Sequence, residues 1–119
     1  MSSDTTHLDR ILAIKRAKLA ERRREPLTDR SIEDALAGLA PTRDFAAALC
    51  RGAAPRIIAE FKRASPSAGD IRPDAEVADI VPGYAGAGAS AVSVLTDSHF
   101  KGSLDDLRAA REVCPVPLL

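Results

Sequence analysis

The pattern of apolar and polar positions divides the chain near Pro55 into two parts. Apolar residues recur at helical spacing from Leu8 to about Arg24, and basic side chains occupy the other faces, which predicts an amphipathic helix. Two shorter helices are predicted after it, one opened by a capping box at Ser31 and running through Leu36, the other from Arg43 to about Cys50. We therefore predict a helical N-terminal extension over residues 1–54.

Strands and helices alternate after Pro55. The predicted strands are Ile57–Lys62, Ala91–Leu95 and Val116–Leu119, and one helical pattern lies in each gap between them. This βαβ rhythm predicts a parallel sheet with right-handed crossovers. A doubly wound sheet and a (β/α)8 barrel both fit the rhythm. The first strand is not followed by GxGxxG, and it carries charges at its C-terminal end. Both features favour an α/β fold in which residues 55–119 form part of a (β/α)8 TIM barrel, with its first three strands and two helices.

The two predicted helices differ in the signals at their ends. The first covers about Ala75–Tyr84, and Pro82 inside it predicts a kink or an early end, because proline lacks the backbone donor. The second is capped by Ser103, with Asp106 at the third helical position. Its predicted inner face consists of Leu104, Leu107 and Val113.

Composition narrows the classes of function. The chain has 17 basic and 17 acidic residues, so no net charge favours nucleic acid or an acidic membrane surface as a partner. No aromatic residues interleave with the basic face of the first helix, which favours a solvated face. No apolar run approaches the roughly 18 residues of a membrane span. Cys50 and Cys114 lack metal-ligand spacing and are interpreted as reduced, structural thiols. We expect a cytoplasmic protein, and the sequence carries no signal of its oligomeric state.

The candidate chemistry lies at the end of the first barrel strand. Glu60 and Lys62 share one strand face, and their Cα atoms lie within roughly 7 Å. The loop that follows offers hydroxyl groups from Ser65 and Ser67, and Gly69 allows a close backbone approach. A carboxylate and an ammonium beside such a loop can do acid/base work on an anionic substrate. The alternative for Glu60 and Lys62 is a structural ion pair, and the alternative for the loop is a simple turn.

The second strand-to-helix loop, residues 96–103, is expected on the same side of the sheet as the first loop. Phe100 can cover a flat apolar ligand there or pack against the barrel rim. Asp97 is expected to hold the loop by accepting backbone hydrogen bonds. His99 is expected to be a surface histidine and not a base.

These residues also carry a family resemblance. The block ExKxxSPS at residues 60–67, the Ser93-Val94-Leu95-Thr96-Asp97 block and the Gly102-Ser103-Leu104-Asp105-Asp106-Leu107 block resemble indole-3-glycerol phosphate synthase of tryptophan biosynthesis. The resemblance covers nearly the whole chain, including the helical extension, but only the first half of the family's protein. It implies a carboxy-lyase that converts 1-(2-carboxyphenylamino)-1-deoxyribulose 5-phosphate to indole-3-glycerol phosphate, carbon dioxide and water, without a cofactor or metal.

The resemblance also implies roles for five residues. Lys62 matches a proton-donating lysine, Glu60 the carboxylate that orients it, and Ser65 a hydroxyl at the carboxylated ring of the substrate. Ser67 belongs to the same substrate-binding loop, and Phe100 falls near a pocket aromatic, in a loop one residue shorter than the family's LTDxxFFxG. The chain stops before the family's third-strand lysine and later catalytic groups. We therefore expect these 119 residues alone to be inactive and poorly soluble.

Two other interpretations stay open at this point. One is another phosphate-handling barrel enzyme, such as a phosphoribosylanthranilate isomerase, which shares the architecture but not the ExKxxSPS block. The other is a non-catalytic helical and α/β interaction module, whose basic N-terminal helix binds a partner.

Overall fold

A computed structural model describes residues 6–24 and 27–119. By their internal contacts, the residues divide into two compact units, one ending at Pro41 and the other covering Thr42–Leu119. No helix in the described ranges is both long enough and apolar enough to cross a membrane.

The first unit contains helices α1, His7–Arg22, and α2, Asp29–Leu36. Thr6 caps α1 and forms a capping box with Asp9. The amphipathic pattern of α1 predicted the helix correctly, but none of its residues is buried. The prediction that a capping box begins α2 at Ser31 is wrong in register. Thr28 is the N-cap, and Ser31 is the third helical residue that completes the box.

The second unit begins with α3, Phe45–Cys50, whose N-cap Asp44 accepts a hydrogen bond from the amide of Ala47 at 2.8 Å. The remaining elements follow in the order β1 Ile58–Phe61, β2 Ala64–Ser65, β3 Gly69–Asp70, α4 Val77–Gly86, β4 Ala91–Val94, a 3₁₀ turn Ser98–Phe100 and α5 Leu104–Val113. The helix–strand alternation predicted after Pro55 is thus present.

The strands β1 and β4 are parallel neighbours, with Ile58 opposite Ala91 and Phe61 opposite Val94. A third parallel segment follows, because Leu118 bridges to Val92 on the other edge of β4. Its Pro117 carbonyl accepts from the Val92 amide at 3.0 Å. The order β1, β4, C-terminal segment is sequential, and the pairing is parallel, as the βαβ rhythm predicted. The pair β2–β3 is a separate antiparallel hairpin that was not predicted.

The core lies between this sheet and the helices α4 and α5. Its largest fully buried side chains are Val81 on α4, Val92 on β4 and Cys114 at the end of α5. Phe61 joins them from β1, with Ala59 partly buried beside it. Parallel strands are covered by helices in this way because the crossover connections place helices on the face of the sheet.

The inner face of α5 differs from the prediction. Leu107 packs against the core, but Leu104 and Val113 are exposed. Ala110 is buried in their place and is followed by Cys114, one helical turn later. The prediction chose the large apolar side chains of α5 and did not consider their positions around the helix axis. The small Ala110 faces the core instead and lets the helix pack close to the sheet.

Pro82 does not end α4, so the prediction of an early end is wrong. Proline removes one backbone hydrogen bond to the residue four positions earlier. The burial of Val77 and Val81 on the inner side offsets that loss, since helices in proteins are stabilised mainly by packing of their apolar face. The proline ring itself is on the exposed side.

Candidate active site

Glu60 and Lys62 lie where the sequence predicted them, on one side of the end of β1. Phe61 between them points into the core and is 3% exposed, so the alternation of a strand directs its two neighbours to the opposite face. Lys62 Nζ donates to Glu60 Oε1 at 2.7 Å. Both side chains are more than a third exposed in the described chain, which leaves them accessible to a ligand.

Ser65 and Ser67 form a second pair in the hairpin β2–β3. The Ser65 hydroxyl oxygen accepts the amide of Ala68 at 3.0 Å and lies 3.3 Å from the Ser67 hydroxyl. Gly69 has a φ of +66°, a left-handed conformation that glycine adopts without steric cost. Its role here is to close the turn. Among the described residues, no hydrogen bond joins the serine pair to the Glu60–Lys62 pair.

Phe100 ends the 3₁₀ turn and is half-buried. Its carbonyl accepts the amide of Arg63 at 3.3 Å, and the turn contacts β2. The two strand-to-helix loops therefore meet beside Ser65, as expected for loops at the same end of a parallel sheet.

Asp97 holds this second loop, as predicted. Its carboxylate accepts the amide of His99 at 3.0 Å and is also hydrogen-bonded to the His99 ring. The loop is closed further by the Gly102 amide, which donates to the Asp97 carbonyl at 3.1 Å. His99 is thus tied to Asp97 at the base of the turn.

A second ion pair crosses between the two loops. Lys101 Nζ lies 2.6 Å from Asp70 Oδ1, linking the hairpin to the residue after the 3₁₀ turn. About half of each side chain is exposed, so this pair contributes little stability by itself.

Arg63 is the polar residue at this end of the sheet to which the sequence analysis gave no role. It follows Lys62 directly and therefore points to the other face, toward α5. Its guanidinium binds both carboxylate oxygens of Asp106, at 2.7 and 2.8 Å. It also donates to the carbonyls of Ala75 at 2.7 Å and Lys101 at 3.0 Å. The guanidinium carbon lies 5.1 Å from the centre of the Phe61 ring.

The Arg63–Asp106 contact shifts the pKa of both partners. The Arg63 hydrogen bond lowers the pKa of Asp106 below its usual value, and the Ser103 backbone amide acts in the same direction. In turn, the hydrogen bond to Asp106 raises the pKa of Arg63. Burial opposes both shifts because it penalises charge. Bidentate arginine–carboxylate geometry is the strongest form of such a contact.

One sequence signal could have identified this pair. Two consecutive basic residues at the end of a half-buried strand cannot both face the open side, so one must find a partner on the helix side. Asp106 stood at the N-terminus of the predicted helix, but only its capping role was considered. That capping role is confirmed, because Ser103 and Asp106 form a capping box.

Together, the described residues put an ammonium, a carboxylate and two hydroxyls near the meeting point of two loops. An ammonium can donate a proton or stabilise a developing oxyanion, and a carboxylate can orient it or accept a proton. Hydroxyls and loop backbone amides suit an anionic or carbonyl-bearing ligand.

The chain is similar to known proteins. A family model described as indole-3-glycerol phosphate synthase matches residues 8–119. The protein of that name from Acidithiobacillus ferrooxidans is 45% identical over 119 residues, which cover 97% of this chain and 45% of that protein. The one from Albidiferax ferrireducens is 45% identical over 121 residues with the same coverage.

The one from Polaromonas sp. is 43% identical over 117 residues, which cover 94% of this chain and 44% of that protein. The chain thus spans a little under half the length of the curated relatives that it matches.

Proposed function

Since this chain belongs to the indole-3-glycerol phosphate synthase family, we propose that it takes part in closing the indole ring in tryptophan biosynthesis. The substrate is 1-(2-carboxyphenylamino)-1-deoxyribulose 5-phosphate, and the products are indole-3-glycerol phosphate, carbon dioxide and water. The reaction class is that of a carbon–carbon lyase. The family match favours this reaction over the isomerase and the interaction-module alternatives.

The proposed architecture is part of a (β/α)8 barrel over residues 55–119, preceded by a helical extension over residues 1–54. The parallel strands β1 and β4, a third parallel segment bridged to β4 at Leu118, and α4 and α5 in the crossovers support it. In such barrels, active sites form at the C-terminal ends of the strands. The Glu60–Lys62 pair and both loops stand at that end.

The observation that carries the proposal is the Lys62–Glu60 contact of 2.7 Å at the end of β1. An ammonium has three N–H donors, and Glu60 accepts one of them, which fixes the direction of the other two. We assign Lys62 to protonate the ketone oxygen while the aromatic carbon attacks the ketone carbon. Glu60 orients this ammonium.

The remaining assignments concern substrate binding. Ser65 and Ser67 are proposed to bind the carboxylated ring through their hydroxyls, which already lie 3.3 Å apart. Phe100 is proposed to cover the flat ring of the substrate. Its backbone is fixed to Arg63, so the ring is presented beside the hairpin rather than on a loosely held segment.

The test uses the protein expressed from its complete gene and follows the fluorescence of the indole product. Lys62→Met removes the ammonium and keeps most of the aliphatic chain. General acid–base groups contribute about 10²–10⁴-fold, so we expect kcat to fall at least about 100-fold. Lys18→Met, on the exposed surface of α1, is the matched control and should leave kcat unchanged.

Either of two results contradicts the proposal. One is an unmodified protein that forms no indole product from this substrate. The other is a Lys62→Met protein whose kcat stays close to that of the Lys18→Met control, since no proton donor would then have been removed.

A further inference from the structure

Arg63 follows the proposed proton donor in the chain, but its side chain points away from the site. We propose that Arg63 is a positioning residue, which fixes Lys62 by clamping the end of β1 to both loops and to the N-terminus of α5. The inference rests on the proposed function, since it assigns Arg63 a role in placing the catalytic ammonium.

The Arg63 guanidinium joins several segments of the chain. Its N–H groups reach the Ala75 carbonyl before α4, the Lys101 carbonyl in the second loop and both oxygens of Asp106 in α5. These three partners lie 12, 38 and 43 residues away in sequence. One side chain therefore fixes three segments of the chain relative to β1.

The backbone of Arg63 is hydrogen-bonded to the same region. The Arg63 amide donates to the Phe100 carbonyl at 3.3 Å, and its carbonyl accepts the amides of Ile71 and Arg72 at 2.9 and 3.0 Å. The peptide units directly after Lys62 are thus held by the hairpin and by the second loop. The backbone from which Lys62 projects has little freedom while these bonds persist.

The clamp is also partly buried. The Arg63 and Asp106 side chains are 12% and 13% exposed, whereas Arg108 and Asp105 on the same helix form an ion pair that is 74% and 84% exposed. Solvent screens the exposed pair and leaves it little net stability. The Arg63–Asp106 pair is partly buried and therefore less screened, and the loss of one partner leaves a partly buried charge without its counter-charge.

Lysine cannot replace this arginine. Guanidinium is planar and supplies five donors in a fixed fork, whereas an ammonium is a point charge on a flexible chain. Lysine at position 63 would keep the charge opposite Asp106 but could not also reach the Ala75 and Lys101 carbonyls in the same geometry. Arg63→Lys therefore relaxes the clamp without removing the charge.

The experiment compares Arg63→Lys with Arg108→Lys in the protein expressed from its complete gene. The chemical change is identical, but only the first residue belongs to the clamp. Displacing a catalytic group by about 1 Å can cost roughly 100-fold, so we expect kcat of Arg63→Lys to fall about 10- to 100-fold. KM should change by less than about threefold, because the substrate contacts remain.

Two further measurements separate positioning from a purely structural role. Circular dichroism confirms that each variant is folded at the assay temperature. Hydrogen exchange of the Ile71 and Arg72 amides reports on the clamp independently of enzyme activity. This exchange should be faster in Arg63→Lys than in the unmodified protein, but unchanged in Arg108→Lys. Asp106→Asn keeps an acceptor for Ser103 and serves as the second variant if Arg63→Lys does not fold.

A folded Arg63→Lys protein with unchanged kcat and a lowered melting temperature would show a structural role only and overturn the inference. A raised KM at constant kcat would also overturn the inference. Unchanged exchange at Ile71 and Arg72 would refute the clamp itself. If the unmodified protein does not close the ring, the proposed function fails, and the exchange data still report whether the clamp exists.

Discussion

Gly102→Ala is expected to disrupt the second loop, because an added Cβ has no space. A Cβ at this position would lie 1.8 Å from the Leu95 carbonyl oxygen, 2.8 Å from its carbon and 3.0 Å from the Thr96 Cα. All three are backbone atoms, so no flexible side chain can move out of the way. A carbon normally stays about 3.3 Å or more from a carbonyl oxygen, so the loop must shift by about 1.5 Å.

That shift would weaken two hydrogen bonds of the second loop. The Gly102 amide would move away from the Asp97 carbonyl, and the Lys101 carbonyl away from Arg63. Overpacking of this kind costs about 1–3 kcal/mol. For a unit the size of residues 42–119, this corresponds to a fall of roughly 5–20 °C in Tm.

Gly83→Ala is the matched control, with the opposite expected sign. Gly83 lies inside α4, and a Cβ there would meet nothing within 4 Å. Alanine in a helix interior is favoured over glycine by about 0.5–1 kcal/mol. Thermal unfolding of both variants, followed by circular dichroism, measures the two effects. A Gly102→Ala protein as stable as the unmodified one, with Gly83→Ala behaving as expected, would refute the steric argument.

Two further predictions concern stability. The lowered pKa of Asp106 means that its carboxylate stabilises the fold above about pH 4 and that this stabilisation is lost as acid protonates it. The stability difference between the unmodified protein and Asp106→Asn should therefore shrink in urea titrations below that pH, and a constant difference would contradict the pairing. Pro82→Ala should raise Tm by restoring a hydrogen bond to the Ala78 carbonyl, worth up to about 3 kcal/mol. A lower Tm would show that the proline ring is needed.

The sequence predicted those elements whose signals are local. The strand Ala91–Val94 was found within one residue, because it is mostly apolar and glycines precede it. The cap of α5 was correct in every residue, since a capping box needs only Ser103 and Asp106 three positions apart. The same signal misled at α2, where Ser31 also fits the cap position but Thr28 takes it.

Other features could not be read from local patterns. The strands of the hairpin β2–β3 are two residues long, too short to show a period. The face of α5 was placed by its large residues, whereas the space between helix and sheet is filled by Ala110 and Cys114. The partners Arg63 and Asp106 are 43 residues apart, and spacing in sequence does not determine which charges meet.

Lys62 and Arg63 place the proposed proton donor and the proposed clamp at the same strand end. Alternation sends the two cations to opposite faces, so the proposed chemistry on one face and the clamp on the other share a single backbone. Glu60 directs the first cation at 2.7 Å, and Asp106 fixes the second through two bonds. We propose that the exposed pair exchanges its partner for substrate and that the more shielded pair keeps the backbone in place during that exchange. The order of the two cations should therefore matter, because exchanging them would place the flexible ammonium in the clamp and the planar guanidinium in the site.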